Sequence, residues 1–348
     1  MNITTLIQQA AAQDASDIHI IEGLPPTYRV AGTLQAMCEQ ALDDEACRSL
    51  ACQLVPEAVT LLQRGGEVDA SVTLDGVRLR IHLFQQQGHI SASLRLLPGK
   101  IPQLEDLGLP PKVLELTELQ HGIILVTGET GSGKSTTLAA MIDRVNHRQA
   151  YHVVTLEDPI EYVYTPDRCI FNQREIGRDT PSYAMGLRAA LREDPDIILV
   201  GEMRDLDTIE TALTAAETGH LVLATLHTNS AANSIDRIVG VFPEDRQPQI
   251  RMQLSMTLNA VLAQQLLPRK DGSGRVCACE LMVVNNAIRN LIREGKTPQI
   301  ANAIATSAHE GAVTMDNRLL ALFREGKISA ETAKRAAHDP AYVAKALY

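Results

Sequence analysis

Ile123-Ile124-Leu125-Val126-Thr127-Gly128-Glu129-Thr130-Gly131-Ser132-Gly133-Lys134-Ser135 sets an apolar run directly before a glycine-rich loop that closes on Lys-Ser. The order is what matters. A buried strand must feed such a loop and a helix must leave it, so that main-chain N–H groups and the helix N-terminus converge on a bound phosphate. The next residues, Thr136 to Val145, supply that helix, with Leu138, Ile142 and Val145 at helical spacing. Gly128, Gly131 and Gly133 let the backbone approach closely, and Glu129, Thr130, Ser132 and Thr136 complete the cradle. The Lys134 ammonium would reach the β- and γ-phosphates and the Ser135 hydroxyl would hold Mg²⁺. The segment implies a site for a nucleoside triphosphate, with ATP and Mg²⁺ as its ligands.

Outward from the loop, apolar runs at 123–126, 153–156, 197–200, 221–225 and 277–284 alternate with helical patterns. Fully apolar strands between helices predict a parallel sheet covered on both faces, the α/β architecture of phosphate-loop NTPases. This ATPase domain is expected over 112–348. From about residue 285 it turns helical, at 287–294, 298–307, 314–325 and 329–338. Residues 1–98 read instead as a small α+β domain. It opens with a helix at 3–12, carries strands at 16–21, 26–30, 68–74, 77–84 and 90–97, and holds a helical stretch at 41–63. Gly32, Gly76 and Gly88 punctuate it as turns. Between the two, 99–111 is dense in Pro and Gly and reads as a linker.

Composition narrows the function. With 32 basic against 42 acidic residues the net charge is −10, which opposes a basic nucleic-acid track. Aromatics make up 3% and tryptophan is absent, leaving few platforms for stacked bases, so no nucleic-acid partner is expected. No apolar run approaches bilayer length and the first residues lack a signal-peptide pattern, so a cytoplasmic protein is expected. The six cysteines form no disulfide-like framework; Cys277 and Cys279 share one strand face and read as packing.

Beyond the loop, four segments carry chemistry. Glu157-Asp158-Pro159-Ile160-Glu161 follows a core strand at its carboxyl end, where open parallel sheets gather their sites. Glu161 is the first choice as the carboxylate on the metal side and Glu157 the second, while Asp158 could instead cap a helix. Asp194 to Glu202 is a buried strand ending in a carboxylate, and Glu202 could orient and deprotonate the attacking water. Gly201 stands where a Mg²⁺-binding Asp is usual. Thr218 to Thr228 is flanked by His220 and His227. His227 could donate to the γ-phosphate, and His220 is open to either a functional or a structural role. Finally, Arg78, Arg80 and Arg95 lie on strands of the first domain. Such arginines are usually solvated, but in a ring of subunits they could reach a neighbour's phosphate.

Together these segments resemble the PilT-type retraction motors of type IV pili, within the secretion-ATPase superfamily. The resemblance runs over nearly the whole chain. It covers Ala15-Ser-Asp-Ile-His19, Gly23-Leu-Pro-Pro, the phosphate loop, residues 157–161 (the Asp box), 196–202 (an atypical Walker B) and 218–228 (the His box). Its most specific element is Asn286-Ala-Ile-Arg-Asn-Leu-Ile-Arg-Glu-Gly-Lys296, which looks like the motif that marks the retraction class. The resemblance implies a PAS-like N-terminal domain, a RecA-like core and a homohexamer with ATP sites between domains, Arg80 and Arg95 being the candidate arginine fingers. It also implies a peripheral position at the cytoplasmic face of the inner membrane, against the platform protein of the pilus machine. The chain departs from the family at Gln85-Gln-Gln-Gly-His-Ile-Ser91, where relatives commonly carry a further arginine.

Overall fold

In the computed structural model, residues 1–97 and 99–347 are described. They divide into two compact units: Met1–Lys100 together with Pro159–Val163, and Ile101–Asp158 together with the chain from Tyr164 onward.

The first unit runs α1 (Ile3–Ala12), β1 (Asp17–Ile20), β2 (Thr27–Val30), β3 (Thr33–Ala36), α2 (Asp44–Leu54), α3 (Ala58–Gly65), β4 (Glu67–Leu74), β5 (Val77–Gln86) and β6 (His89–Leu96). The strands form one antiparallel sheet in the order β3-β2-β1-β6-β5-β4. Period-2 alternation sends Leu79, Ile81 and Leu83 of β5 and Ile90, Ala92 and Leu94 of β6 into a core shared with the helices. Each such buried Leu or Ile contributes ~1.5–3 kcal/mol. The same alternation turns Arg80, His82 and Arg95 to the other face. Two-residue turns at Asp75-Gly76 and Gln87-Gly88, positive in φ at both positions, fix the register of β4, β5 and β6. The helical stretch expected at 41–63 is two helices, because Pro56 removes a donor and holds Val55 extended. Strand β3 was not foreseen: all four of its residues are exposed, so no burial pattern marks it.

In the second unit come α4 (Lys112–Leu116), β7 (Gly122–Thr127), α5 (Lys134–Asn146), β8 (His152–Glu157), β9 (Ile170–Glu175), α6 (Tyr183–Ala190), β10 (Ile197–Val200), α7 (Leu206–Glu217), β11 (Leu221–Leu226), α8 (Ala231–Gly240) and α9 (Gln247–Thr257). They are followed by β12 (Leu258–Pro268), β13 (Arg275–Val283), α10 (Asn286–Arg293), α11 (Ile300–Thr306), α12 (Met315–Arg324), α13 (Ala330–Ala336) and α14 (Pro340–Ala346). The sheet order is β13-β12-β7-β11-β10-β8-β9. It is parallel except at its end, where β12 and β13 make an antiparallel pair, which corrects the expectation of a wholly parallel sheet. Two of its strands were not foreseen. Strand β12 reads Leu-Asn-Ala-Val-Leu-Ala-Gln-Gln-Leu-Leu, mostly helix formers, and follows α9 without a break. Strand β9 lies at the edge and is polar and half exposed.

Candidate functional site

Every residue of β7 is buried, which anchors the phosphate loop at its base. Gly128 has φ +143°, and a Cβ there would stand 2.4 Å from the Gln264 carbonyl oxygen and 2.5 Å from Ser132 Oγ. Only glycine fits. Helix α5 starts at Lys134, directly after Gly133, and Ser135 stands in its first turn. The Lys134 ammonium folds over the loop, donating to the carbonyl oxygens of Gly128 at 2.8 Å and Glu129 at 3.0 Å. Two cavities border the loop. One, of about 350 Å³, lies between Gly128–Ser132, the β12 residues Gln264–Leu267, Asn229 and the segment 335–338. The other, of about 300 Å³, reaches Gly133 and Thr136 and is lined by the cations Arg269, Arg275, Arg318 and Lys327.

Parallel pairing brings three further tips to the same sheet edge. Val200 of β10 pairs with Leu156 of β8 and Ala224 of β11, and Leu226 pairs with Thr127 at the start of the loop. Glu157, the last residue of β8, and Glu202 and His227, just beyond β10 and β11, therefore stand at the ends of neighbouring strands. The Glu202 side chain is only 16% exposed, and its Oε1 accepts from Arg204 Nε at 2.6 Å and lies 3.4 Å from His227 Nε2. Glu157 Oε1 accepts from Thr155 Oγ1 at 2.6 Å and Gln173 Nε2 at 3.3 Å. Tyr183 stands among these groups. Burial, then the charges of Asp158, Glu202 and Glu157, push its phenol well above the ordinary range. Gly201 is crowded: a Cβ would stand 3.0 Å from Leu156 O, 3.0 Å from the Tyr183 hydroxyl and 3.3 Å from Glu157 Cα, so these neighbours would have to give by a few tenths of an ångström. The Ser135 hydroxyl and the carboxylates of Glu157 and Glu202 are hard oxygen donors, the class that Mg²⁺ takes alongside phosphate oxygens and water.

The remaining expected residues are placed within their own units. Glu161 is half-buried and lies in Pro159–Val163, the segment that groups with the first unit. No helix follows Asp158, so the capping alternative for that residue lapses. His220 precedes β11 at the end of the sheet away from the loop, where its Nδ1 lies 3.0 Å from Ala215 O and 3.2 Å from Thr218 Oγ1. Parallel pairing of β11 with β7 puts the length of the strand, ~20 Å, between His220 and the edge that carries His227. His220 thus stands at the opposite end of the sheet from this chain's own loop. In the first unit, Arg78 is engaged with Ile160 O at 3.3 Å and Ser71 Oγ at 2.6 Å. Arg80 and Arg95 line a cavity of about 320 Å³ with Asp17, Asp69, His82 and Ser93. Tyr183, Arg204 and Gln264 were missed. Only Arg204, two residues beyond Glu202, had a signal in its neighbourhood; the others reach the site through strand order.

Comparison with known proteins adds four findings. The family described as Type II/IV secretion system protein matches residues 1–335. The type IV pilus retraction ATPase PilT of Pseudomonas aeruginosa is 46% identical over 342 residues, which cover 98% of this chain and 99% of the relative. A twitching motility protein of Neisseria gonorrhoeae is 43% identical over 340 residues, covering 97% of this chain and 91% of that protein. Among solved structures, the pilus retraction motor PilT with bound ADP superposes with a TM-score of 0.93 at 47% identity, covering 99% of each chain.

Proposed function

The chain belongs to the Type II/IV secretion system protein family, and we propose that it is a pilus retraction ATPase, coupling ATP hydrolysis at its phosphate loop to withdrawal of a type IV pilus. The observation that carries this reading is similarity to a retraction ATPase over 98% of this chain and 99% of the relative. No helix among the described residues is long and apolar enough to cross a membrane, in keeping with a motor that works from the cytoplasm against an inner-membrane platform protein.

In this mechanism Lys134 lies over the β- and γ-phosphates and offsets the charge that builds during transfer. Mg²⁺ neutralises phosphate charge when bound, and Ser135 with Glu161 or Glu157 would hold it. Glu202 orients the attacking water and takes its proton; its burial and its closeness to His227 support that role. His227, next to the loop, donates to the γ-phosphate and registers its departure. Arg80 and Arg95 act on a neighbour's nucleotide in a homohexamer, in the manner of arginine fingers. A deletion strain tests the reading: retracting motors leave a surplus of surface pili and no twitching, both restored by the intact gene and not by Lys134→Ala. Loss of pili on deletion would identify an assembly motor instead.

A further inference from the structure

The stretch Ala15-Ser16-Asp17-Ile18-His19 has no part in the mechanism above, yet its central carboxylate is engaged. Antiparallel pairing sets Asp17 of β1 directly opposite Arg95 of β6, and Arg95 opposite Arg80 of β5. Three charged side chains thus form one row across the sheet, on the face away from the buried Ile18, Ile81 and Leu94. Asp17 is the sheltered member. Its side chain is 12% exposed against 63% for Arg95; Oδ1 accepts from Arg95 Nε at 3.0 Å, and Oδ2 accepts from the Ser16 hydroxyl at 2.8 Å.

Two features set this pair apart from an ordinary surface ion pair, which would be worth little. First, two guanidiniums directly opposite on neighbouring strands repel, and Asp17 supplies the opposite charge that lets Arg95 stay beside Arg80. Second, the grip is on Nε. The terminal nitrogens of Arg95 have no partner among the described residues, and neither does the Arg80 side chain, so both face the open cavity with donors to spare. An arginine held by Nε has lost its rotational freedom before a phosphate arrives and keeps its terminal N–H groups for the contact.

We propose that Asp17 is a positioning residue, which holds Arg95 by Nε at the side of Arg80 so that the two guanidiniums meet one phosphate group together. This rests on the reading that Arg80 and Arg95 act on nucleotide. Ser16 serves the same end at one remove, by fixing the carboxylate.

The test is a double-mutant cycle on the full-length assembled protein, with Asp17→Asn, Arg95→Lys and the pair, reading kcat and KM for ATP along with assembly and melting temperature. Asp17→Asn should lower kcat about tenfold with KM moved less than about threefold, and should add less than about twofold to the loss in Arg95→Lys. Losses that multiply would show that Asp17 acts by another route and would overturn the proposal. Full turnover in Asp17→Asn with a loss in Arg95→Lys would overturn it too, while leaving the arginine reading in place. Full turnover in Arg95→Lys and Arg95→Ala alike would remove the arginine reading itself and the proposal with it. Should Asp17→Asn fail to fold, Ser16→Ala replaces it, expected to cost kcat at least about twofold beside Arg95 and nothing beside Lys at that position; an equal cost in both backgrounds overturns the proposal.

Discussion

At position 201 the strand tip is crowded, because Leu156 O, the Tyr183 hydroxyl and Glu157 Cα lie 3.0–3.3 Å from the place a Cβ would take. Gly201→Asp, which would restore the commoner metal-side carboxylate, is therefore expected to cost about 1–3 kcal/mol of stability and to gain no turnover. Thermal unfolding and an ATPase assay read both. Glu202→Gln next door keeps the shape and removes the base. It should bind ATP with little change and hydrolyse it at least about 100-fold more slowly; turnover within twofold of the parent would move the base to another carboxylate. The phosphate loop itself was legible because its residues are contiguous and its chemistry is carried by the main chain. Tyr183 was not, since it lies 26 positions beyond Glu157 in the sequence and only the packing of α6 against β8 and β10 brings them together.

The α10 helix shows what periodicity can and cannot assign. Ile288 and Ile292 are fully buried, as their spacing predicts, and Arg293 and Glu294 are exposed. Arg289 is half-buried and engaged. It donates to Ser255 O at 2.6 Å and Met256 O at 2.9 Å, carbonyls in the last turn of α9, and so helps to cap that helix. Arg289→Ala should then lower stability by about 1.5–3 kcal/mol in a denaturant melt, the usual worth of a hydrogen bond from a charged group. Among the described residues Glu294 pairs with Lys296, at 2.7 Å on the exposed side. Arg293→Ala and Glu294→Ala are expected to leave ATP hydrolysis and melting unchanged while abolishing pilus retraction in cells. Hydrolysis and retraction falling together would make the helix structural. No periodicity could have revealed that Arg289 reaches α9, because the contact depends on how α9 passes into β12. That passage was itself hidden, β12 being written in helix formers and made a strand by its place between β7 and β13.

For the whole molecule, the central expectation is that catalysis is shared between subunits. Mixing Arg80→Ala chains with Lys134→Ala chains should recover part of the ATPase activity that each lacks alone, through sites that take an intact loop from one chain and an intact arginine from the other. Activity flat at every mixing ratio, also in a crosslinked dimer of the two variants, would place loop and arginine in one chain. Assembly of this kind is not written in periodicity or burial, which report each chain's own core; only the resemblance pointed to it. The division of the chain does carry one consequence of its own. The backbone passes between the two units at Lys100–Ile101, at Asp158–Pro159 and at Val163–Tyr164. A protease that nicks the first junction frees neither unit, because Pro159–Val163 still leashes one to the other and accepts the hydrogen bond from Arg78 through Ile160. Of these three crossings, Asp158–Pro159 lies one residue from the Glu157 carboxylate, so the share of any pull on the first unit that passes through it runs along the same few ångströms of main chain as the chemistry at the end of β8.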